Sequence, residues 1–177
     1  LESRQKKSSI IPRGMGRSYG DSALAKEVVS SRFFDSFISL DEENHNIQCG
    51  SGVIIEDLLQ VVIPKGYFIK VLPGTKYVSV GGAIAADIHG KNHHMVGSFC
   101  EHISALSLML ANGEIKRCSK TENHELFLAT CGGMGLTGII LEATLSLKKV
   151  PSVSIRKRSI AAANLFECMN LIDENKT

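Results

Sequence analysis

The sequence lacks any apolar stretch close to the roughly 20 residues that a membrane-spanning helix needs, which argues against a transmembrane segment. It also lacks a charge excess, since 20 Lys and Arg face 18 Asp and Glu across 177 residues, for a net charge of +2. That balance gives no reason to expect nucleic acid as a partner. The opening LESRQKKSSI has neither a signal-peptide apolar run nor an initiator Met, so we expect a preceding segment to be missing.

Several catalytic and metal-binding signatures are absent as well. The sequence contains no P-loop, no Ser-His-Asp order and no paired-carboxylate motif. His89, His93 and His94 have loose spacing and no clear carboxylate or thiolate partner, so we predict no metal site and expect the adjacent histidines to point apart on a strand. No two of the cysteines form a CxxC, and the odd, scattered set predicts free thiols in a reducing, cytoplasmic compartment: Cys49, Cys100, Cys118, Cys131 and Cys168.

Glycine is the informative residue, because the 16 glycines fall in tight clusters between apolar runs. Two loops at strand ends, residues 13–20 and 74–82, combine glycine with the hydroxyl groups of Ser18, Thr75 and Ser79. Successive backbone N–H groups in such loops form anion-binding nests suited to a pyrophosphate. Either loop alone could equally be an ordinary turn. Together with a third loop near Gly138, they favour a large nucleotide cofactor.

Residues 133–138 match the dinucleotide fingerprint GxGxxG. A Rossmann site requires a strand before this motif and a helix after it, so that the helix N-terminus faces the pyrophosphate. Here we predict a helix before it, over residues 121–130, and a long alternating strand after it, over residues 139–150. The motif therefore does not indicate a Rossmann NAD site.

The remaining periodicity predicts alternating strands and short helices. We expect a strand at residues 9–12, paired strands at 37–40 and 47–49, a helix at 51–62 and a further strand at 68–72. Asn112-Gly113 predicts a type I′ hairpin between residues 103–110 and 115–118. Pro151 marks a boundary between a domain at residues 1–150 and the start of a second, truncated domain at residues 151–177. For the latter we predict a strand at 152–160 and a helix at 161–173.

The glycine loops and their neighbours together resemble a known family. The segments RGMGRSYGD (from Arg13), LPGT (from Leu72), VGGAIAADIHGKNHH (from Val80), GSF (from Gly97) and GGMGLTGI (from Gly132) are similar to the FAD domain of the vanillyl-alcohol oxidase family, of PCMH type. The resemblance covers most of residues 10–150. The run IHGKNHH is specific to a branch that oxidises a prenyl-phosphoryl pentose.

The resemblance implies an α+β fold of two subdomains, with a small parallel sheet, a mixed sheet, flanking helices, and FAD held between them. Residues 14–21 and 74–82 would hold the pyrophosphate and ribose, residues 86–89 would pass the flavin, and Ile139 would lie near the adenine. The implied cofactor-binding residues are Arg13, Gly14, Met15, Gly16, Arg17, Ser18, Tyr19, Gly20, Asp21, Gly74, Ser79, Val80, Gly81, Gly82, Ala86, Asp87, Ile88, His89 and Ile139.

The resemblance also implies a chemistry. A carbinol carbon of a sugar would give a hydride to flavin N5 and become a ketone, with His89, Lys91 and Tyr19 on the substrate side of the ring. Many relatives attach FAD through a histidine where this sequence has Arg17, so we predict non-covalent FAD. No residue is identified as the catalytic base.

The implied partners are a small or lipid-linked sugar and a reductase for the keto product, with peripheral membrane association left open. Two alternatives also stay open. One is an oxidoreductase of the same family that acts on a polyol, aldonolactone or hydroxy acid. The other is a non-catalytic nucleotide-binding module.

Overall fold

The structure is a computed structural model that describes residues 9–175 as two sheets with flanking short helices. The strands are β1 (Ile10–Arg13), β2 (Glu27–Ser30), β3 (Phe37–Asp41), β4 (Asn46–Gly50), β5 (Tyr67–Ile69), β6 (Ile103–Met109), β7 (Ile115–Ser119) and β8 (Ile139–Lys149). The helices are α1 (Ile55–Val62), α2 (Val80–Ala85), α3 (His93–Val96), α4 (His124–Thr130) and α5 (Leu165–Glu174). Short 3₁₀ turns cover Tyr19–Asp21, Ile63–Lys65 and Phe99–His102.

The small sheet consists of β1 and β2, which pair in parallel with Ile11 opposite Val28. Parallel strands cannot be joined by a tight turn, so a crossover must connect them. In this chain the crossover contains the first glycine loop and the Tyr19–Asp21 turn. The fold thus fixes one end of that loop at the end of β1.

The large sheet has the strand order β3-β4-β8-β6-β7, with β5 added on β8. Its strands pair antiparallel, so the parallel component of the fold lies in the small sheet. Along β8 the predicted alternation holds for Ala143, Leu145 and Leu147, whereas at its start Ile139 and Ile140 are both buried and Leu141 is not. Both sheets and their helices confirm the predicted α+β class.

Helix α1 packs on the core through the fully buried residues Ile55, Leu58 and Val62. It begins later than predicted because Ile54 is extended and forms a bridge with Ser79. The helix runs into the Ile63–Lys65 turn, which Gly66 ends with a φ of 80°. This conformation favours glycine, since it has no Cβ.

The hairpin of β6 and β7 is confirmed, but its predicted type I′ turn is wrong. That turn needs positive φ at both central residues, whereas of Asn112 and Gly113 only Gly113 has it, at 85°. The Gly113 amide donates to the Leu110 carbonyl at 2.9 Å, and the Asn112 side-chain oxygen accepts from the Glu114 amide at 2.9 Å. Because Asn112 makes this local bond, the chain turns with one left-handed residue.

Two further local predictions need correction. Helix α4 begins at His124 and not at residue 121, because the amides of Thr121 and Glu122 donate to the Ser119 hydroxyl in a turn. Asn123, which precedes the helix, makes no side-chain capping bond. His93 and His94 lie in the short helix α3, so they do not alternate across a strand as predicted.

The predicted strand over residues 152–160 does not form. Within the described residues this segment has no strand partner, and Val153 and Ile155 are exposed. An apolar alternation becomes a strand only when an edge is there to pair with it. Helix α5 does form, with the Asn164 side chain accepting from the Glu167 amide at 2.9 Å. The assignment of residues 151–177 to a second domain stays a prediction, and residues 176 and 177 lie outside the described part.

Of the helices in residues 9–175, none combines the length and apolar character required to cross a bilayer.

Candidate nucleotide-binding cleft

The first two glycine loops meet where the small sheet adjoins the large one. Gly14 abuts Ser79 so closely that a Cβ at Gly14 would collide with the Ser79 hydroxyl oxygen. The third loop packs on the same region, because a Cβ at Gly135 would lie 3.1 Å from the Pro12 ring. The absence of side chains therefore brings three separate segments into contact.

These segments enclose a cleft of about 840 Å³, a volume that includes its open mouth. Its walls come from residues 14–18, from most of residues 78–86, and from Met134, Gly135 and Gly138, and Ser31, Ser51 and Ile140 also line it. Most of these residues are small, so backbone atoms form much of the wall. Such a surface allows a large planar or phosphorylated ligand to approach the main chain closely.

The first loop leaves a run of backbone donors unused. Within residues 9–175, no protein group accepts a hydrogen bond from the amides of Met15, Gly16, Arg17 or Ser18. Gly16 has a φ of 61°, a left-handed conformation that turns the chain within this run. Successive free amides in a turn form a nest for an anion, so the first loop fits a phosphate group.

The second loop differs at its end, because the amides of residues 80–82 are occupied by the protein itself. The Val80 amide donates to Val53 O at 2.9 Å, and the Gly81 amide donates to Ser51 O at 2.7 Å. The Gly82 amide donates to Ser79 Oγ at 3.2 Å, which caps α2. This loop therefore contributes a closely packed wall to the cleft, and these amides are not an anion nest.

Two hydroxyl groups in the cleft have no hydrogen-bond partner among the described residues. Ser51 is 1% exposed and Ser22 is half-buried, and the Oγ atoms of both are buried and unpaired. A buried hydroxyl without a partner costs about 1–3 kcal/mol, which a ligand oxygen or phosphate would recover. The orphaned hydroxyls and the free amides together fit a nucleotide cofactor.

Sequence reasoning missed Ser22 and Ser51. Nothing in their local sequence could have revealed them, since each becomes a candidate only because the fold buries its hydroxyl without a partner. Gly81 supports this arrangement at Ser51, because a Cβ at Gly81 would lie 2.8 Å from Ser51 Cβ.

The structure gathers ten of the predicted cofactor-binding residues on the lining of the cleft: Gly14, Met15, Gly16, Arg17, Ser18, Ser79, Gly81, Gly82, Ala86 and Ile88. Nine others are not on that lining: Arg13, Tyr19, Gly20, Asp21, Gly74, Val80, Asp87, His89 and Ile139. Val80 is buried in the core, and Ile140 lines the cleft where Ile139 was predicted. Neighbouring residues of a strand point to opposite faces, so Ile139 points away from the cleft when Ile140 faces it.

The three predicted substrate-side residues do not meet on the lining. Tyr19 is 98% exposed in the crossover, and Lys91 is exposed before α3. His89 forms a bridge with Ser98, and its ring packs edge-on against His93 with centroids 5.7 Å apart. Across residues 9–175 no cluster of three or more His, Cys, Asp or Glu side chains is placed to hold a metal ion.

The Glu56–Lys76 ion pair ties the second glycine loop to α1. Lys76 Nζ lies 2.7 Å from Glu56 Oε1, and this hydrogen bond raises the pKa of Lys76 above its ordinary value. The Lys76 carbonyl also accepts from the Glu56 amide at 3.0 Å. Because the side-chain pair is solvated, its main role is to position the loop.

The α+β fold, the close-packed glycine loops and the free amides of residues 15–18 define a domain that binds a phosphorylated nucleotide cofactor. Comparison with known proteins identifies which one. A family model described as an FAD binding domain matches residues 2–119. The chain belongs to this family, and its cofactor is FAD.

Three curated relatives illustrate the range of the family. Decaprenylphosphoryl-beta-D-ribose oxidase of Mycolicibacterium smegmatis is 43% identical over 141 residues, covering 78% of this chain and 31% of the relative. D-lactate dehydrogenase of Anaerostipes hadrus is 28% identical over 152 residues, covering 83% and 32%. L-gulonolactone oxidase of Mus musculus is 26% identical over 175 residues, covering 97% and 38%. The chain spans about a third of the length of these relatives.

Proposed function

We propose that this chain is the FAD-binding part of a flavin-dependent oxidoreductase that oxidises a hydroxyl of a prenyl-phosphoryl pentose to a ketone. The observation that carries the cofactor half of the proposal is the run of unpaired amides at residues 15–18 facing a cleft of small residues. The substrate half rests on the 43% identity to a decaprenylphosphoryl-beta-D-ribose oxidase.

The residues of this chain would act mainly by binding and orientation. The amides of Met15 to Ser18 would donate to the diphosphate, and Ser51 and Ser22 would donate their unpaired hydroxyl protons to the same ligand. Gly14 and Gly81 would keep the walls close, because a side chain on either would meet a serine. When bound, the flavin supplies the acceptor for the hydride.

Non-covalent attachment is part of the proposal. Arg17 lies on the cleft lining at the position where, by resemblance, many relatives carry the attaching histidine. A guanidinium is not a nucleophile at neutral pH, because it stays protonated. It would instead donate hydrogen bonds to the phosphates.

A second candidate function is oxidation of a hydroxy acid or an aldonolactone. It is supported by the D-lactate dehydrogenase and the L-gulonolactone oxidase, which match over 83% and 97% of this chain at 28% and 26% identity. The two candidates share the cofactor site and differ in the substrate. A reductase acting on the keto product and peripheral contact with a membrane remain parts of the first proposal alone.

The test has two stages, because cofactor binding and substrate oxidation are separable. In the first, the purified chain is titrated with FAD, FMN and riboflavin while flavin fluorescence is followed. We expect FAD to bind most tightly and riboflavin, which has no phosphate, to bind least. Equal affinity for all three flavins would contradict the role of the amides of residues 15–18.

In the second stage, the full-length enzyme is mixed without oxygen with prenyl-phosphoryl pentoses, D-lactate and aldonolactones. Bleaching of the flavin by the prenyl-phosphoryl pentose alone supports the first candidate. Bleaching by lactate or lactone alone supports the second. FAD binding without bleaching by any of them would contradict both candidates, and it is the result expected of a non-catalytic nucleotide-binding module.

A further inference from the structure

Two cysteines from distant parts of the sequence meet behind the wall of the cleft. Cys100 lies in the Phe99–His102 turn and is buried, whereas Cys131 caps the C-terminal end of α4 and is partly exposed. Ile84 O contacts both segments, since the Cys100 sulfur and the amide of Gly132, the residue after Cys131, both lie against it. Both are free thiols, as are the other cysteines of the described chain.

The backbone around the pair converges on one carbonyl group of α2. The Cys100 thiol lies 3.4 Å from Ile84 O, to which it donates, and the Gly132 amide donates to the same oxygen at 3.0 Å. The Cys100 amide donates to Asp87 Oδ1 at 2.9 Å, which fixes the turn. The bonds of the Gly132 and Cys100 amides therefore hold the two segments together without using either sulfur atom.

We propose that Cys100 and Cys131 form a redox-reactive dithiol that closes to a disulfide with a low-molecular-weight disulfide as oxidant. The bridge would join the Phe99–His102 turn to the end of α4. Met134 and Gly135, a few residues further along, line the cleft. This inference does not depend on which nucleotide occupies the cleft.

The two cysteines have unequal parts in the reaction. The neighbouring Cys100 thiol, which can donate to a Cys131 thiolate in place of Ile84 O, lowers the pKa of Cys131, and Lys120 acts in the same direction, against burial and the Asp87 carboxylate. Interaction with Cys131, then burial, raises the pKa of the Cys100 thiol. Because Cys131 is partly exposed and Cys100 is buried, a small disulfide reaches Cys131 first, and Cys131 is therefore the attacking thiolate and Cys100 the resolving thiol.

The exchange balances in two steps. The Cys131 thiolate attacks one sulfur of the small disulfide, forms a mixed disulfide and expels one thiolate with its electron pair. Cys100 then attacks the Cys131 sulfur, its proton passes to the second leaving thiolate, and the protein disulfide forms. The two cysteines are oxidised by two electrons, and the small disulfide is reduced to two thiols.

The bridge would restrain one wall of the cleft. The Gly132 and Met134 amides donate to the carbonyls of Ile84 and Ala85, at 3.0 and 2.8 Å, and so join the third glycine loop to α2. A covalent link at Cys131 would prevent the local opening of the loop that breaks these two hydrogen bonds. Their amide hydrogens should therefore exchange with solvent several-fold more slowly in the oxidised chain.

The experiment treats the folded chain with oxidised glutathione at pH 8, alkylates the remaining thiols and maps the peptides without reduction. We expect one linked peptide pair containing Cys100 and Cys131, with Cys49 and Cys118 alkylated only after unfolding. The yield should not depend on protein concentration. A linked pair elsewhere, or none, overturns the proposal.

Variants separate the roles of the two thiols. Cys100→Ser should accumulate a stable glutathione adduct on Cys131, whereas Cys131→Ser should leave Cys100 unmodified. Cys168→Ser is the matched control and should form the bridge like the unaltered chain. The reverse pattern would overturn the assignment of nucleophile, and a bridge with unchanged exchange at Gly132 and Met134 would overturn the restraint on the wall. The mapping of the unaltered chain remains decisive if a variant fails to fold.

Discussion

Gly14 lies directly against Ser79, with no room between them for even one methyl group. The first residue belongs to the crossover of the small sheet, and the second caps helix α2 on the large sheet. This contact is where the two halves of the cleft join. Its tightness fixes the separation of the unpaired amides on one wall from the helix on the other.

Gly14→Ala should therefore weaken FAD binding. The added methyl group would push the first loop off Ser79, and such overpacking costs about 1–3 kcal/mol, equivalent to roughly ten-fold in affinity. Gly74→Ala is the matched control, since a Cβ there meets nothing within 4 Å and its φ is not positive. Fluorescence titration with FAD measures both variants. Equal losses for the two would argue against the contact as the cause.

Ser51→Ala should separate cofactor binding from stability. Its hydroxyl is buried and unpaired, so removing it should leave the thermal midpoint of the flavin-free chain unchanged or slightly higher. Binding of FAD should weaken roughly ten-fold, because a hydrogen bond to a charged group contributes about 1.5–3 kcal/mol.

Ser107→Ala provides the contrast for that experiment. The Ser107 hydroxyl donates to Glu142 Oε1 at 2.8 Å, away from the cleft, so this variant should lose stability and retain FAD affinity. If Ser51→Ala instead destabilised the flavin-free chain and bound FAD normally, Ser51 would be a structural residue only.

Acid precipitation should release the flavin into the supernatant. Non-covalent binding requires that denaturation free the cofactor, and Arg17 offers no nucleophile for a bond to the flavin ring. The absorbance of the supernatant and of the redissolved pellet measures the partition. Flavin retained in the pellet after washing would contradict non-covalent attachment.

Stability should fall at alkaline pH because of Cys49. Burial raises the pKa of this thiol to about 12 from an ordinary value of 9.0. Between those two values the unfolded chain loses the proton that the folded chain keeps. Folding stability should therefore be unaffected by Cys49 below pH 9.0 and should decline as the pH rises towards about 12.

Cys49→Ala isolates that contribution, because other groups also titrate in the same range. Urea unfolding of both proteins at pH 8 and near pH 10.5 should show a smaller decline for the variant. An equal decline in the unfolding free energy of both proteins would mean that ionisation of the Cys49 thiol does not cause the loss of stability.

Much of the large sheet could be predicted, because its signals are local. The alternation along β8, the β6–β7 hairpin and the apolar face of α1 all follow from the spacing of a few side chains. The strand predicted at residues 152–160 failed for the opposite reason, since pairing depends on an available edge and no window of sequence contains that information. The turn at Asn112 was mistaken because a side-chain hydrogen bond decided its φ.

The candidate site was predicted about as well as the large sheet. Glycine clusters indicated loops that approach a nucleotide, and ten of the residues suggested by resemblance do line one cleft. The pattern could not distinguish free amides from occupied ones, so residues 80–82 were grouped with the anion-binding loops although their amides donate to protein groups. Nor could the pattern identify Ser51, which is a candidate only because its buried hydroxyl has no hydrogen-bond partner in the described residues.

The two-stranded sheet of β1 and β2 buries few apolar side chains, with Ile11 well covered and Val28 exposed, and Leu24 in the crossover is exposed as well. Its connecting crossover therefore has little protein of its own to hold it in place. A bound dinucleotide would supply the packing contacts that the protein does not provide for this segment. It would thereby order the residues that bind it. Proteases should accordingly cleave at Lys26, next to this crossover, faster in flavin-depleted protein than in flavin-bound protein, while the large sheet resists cleavage in both.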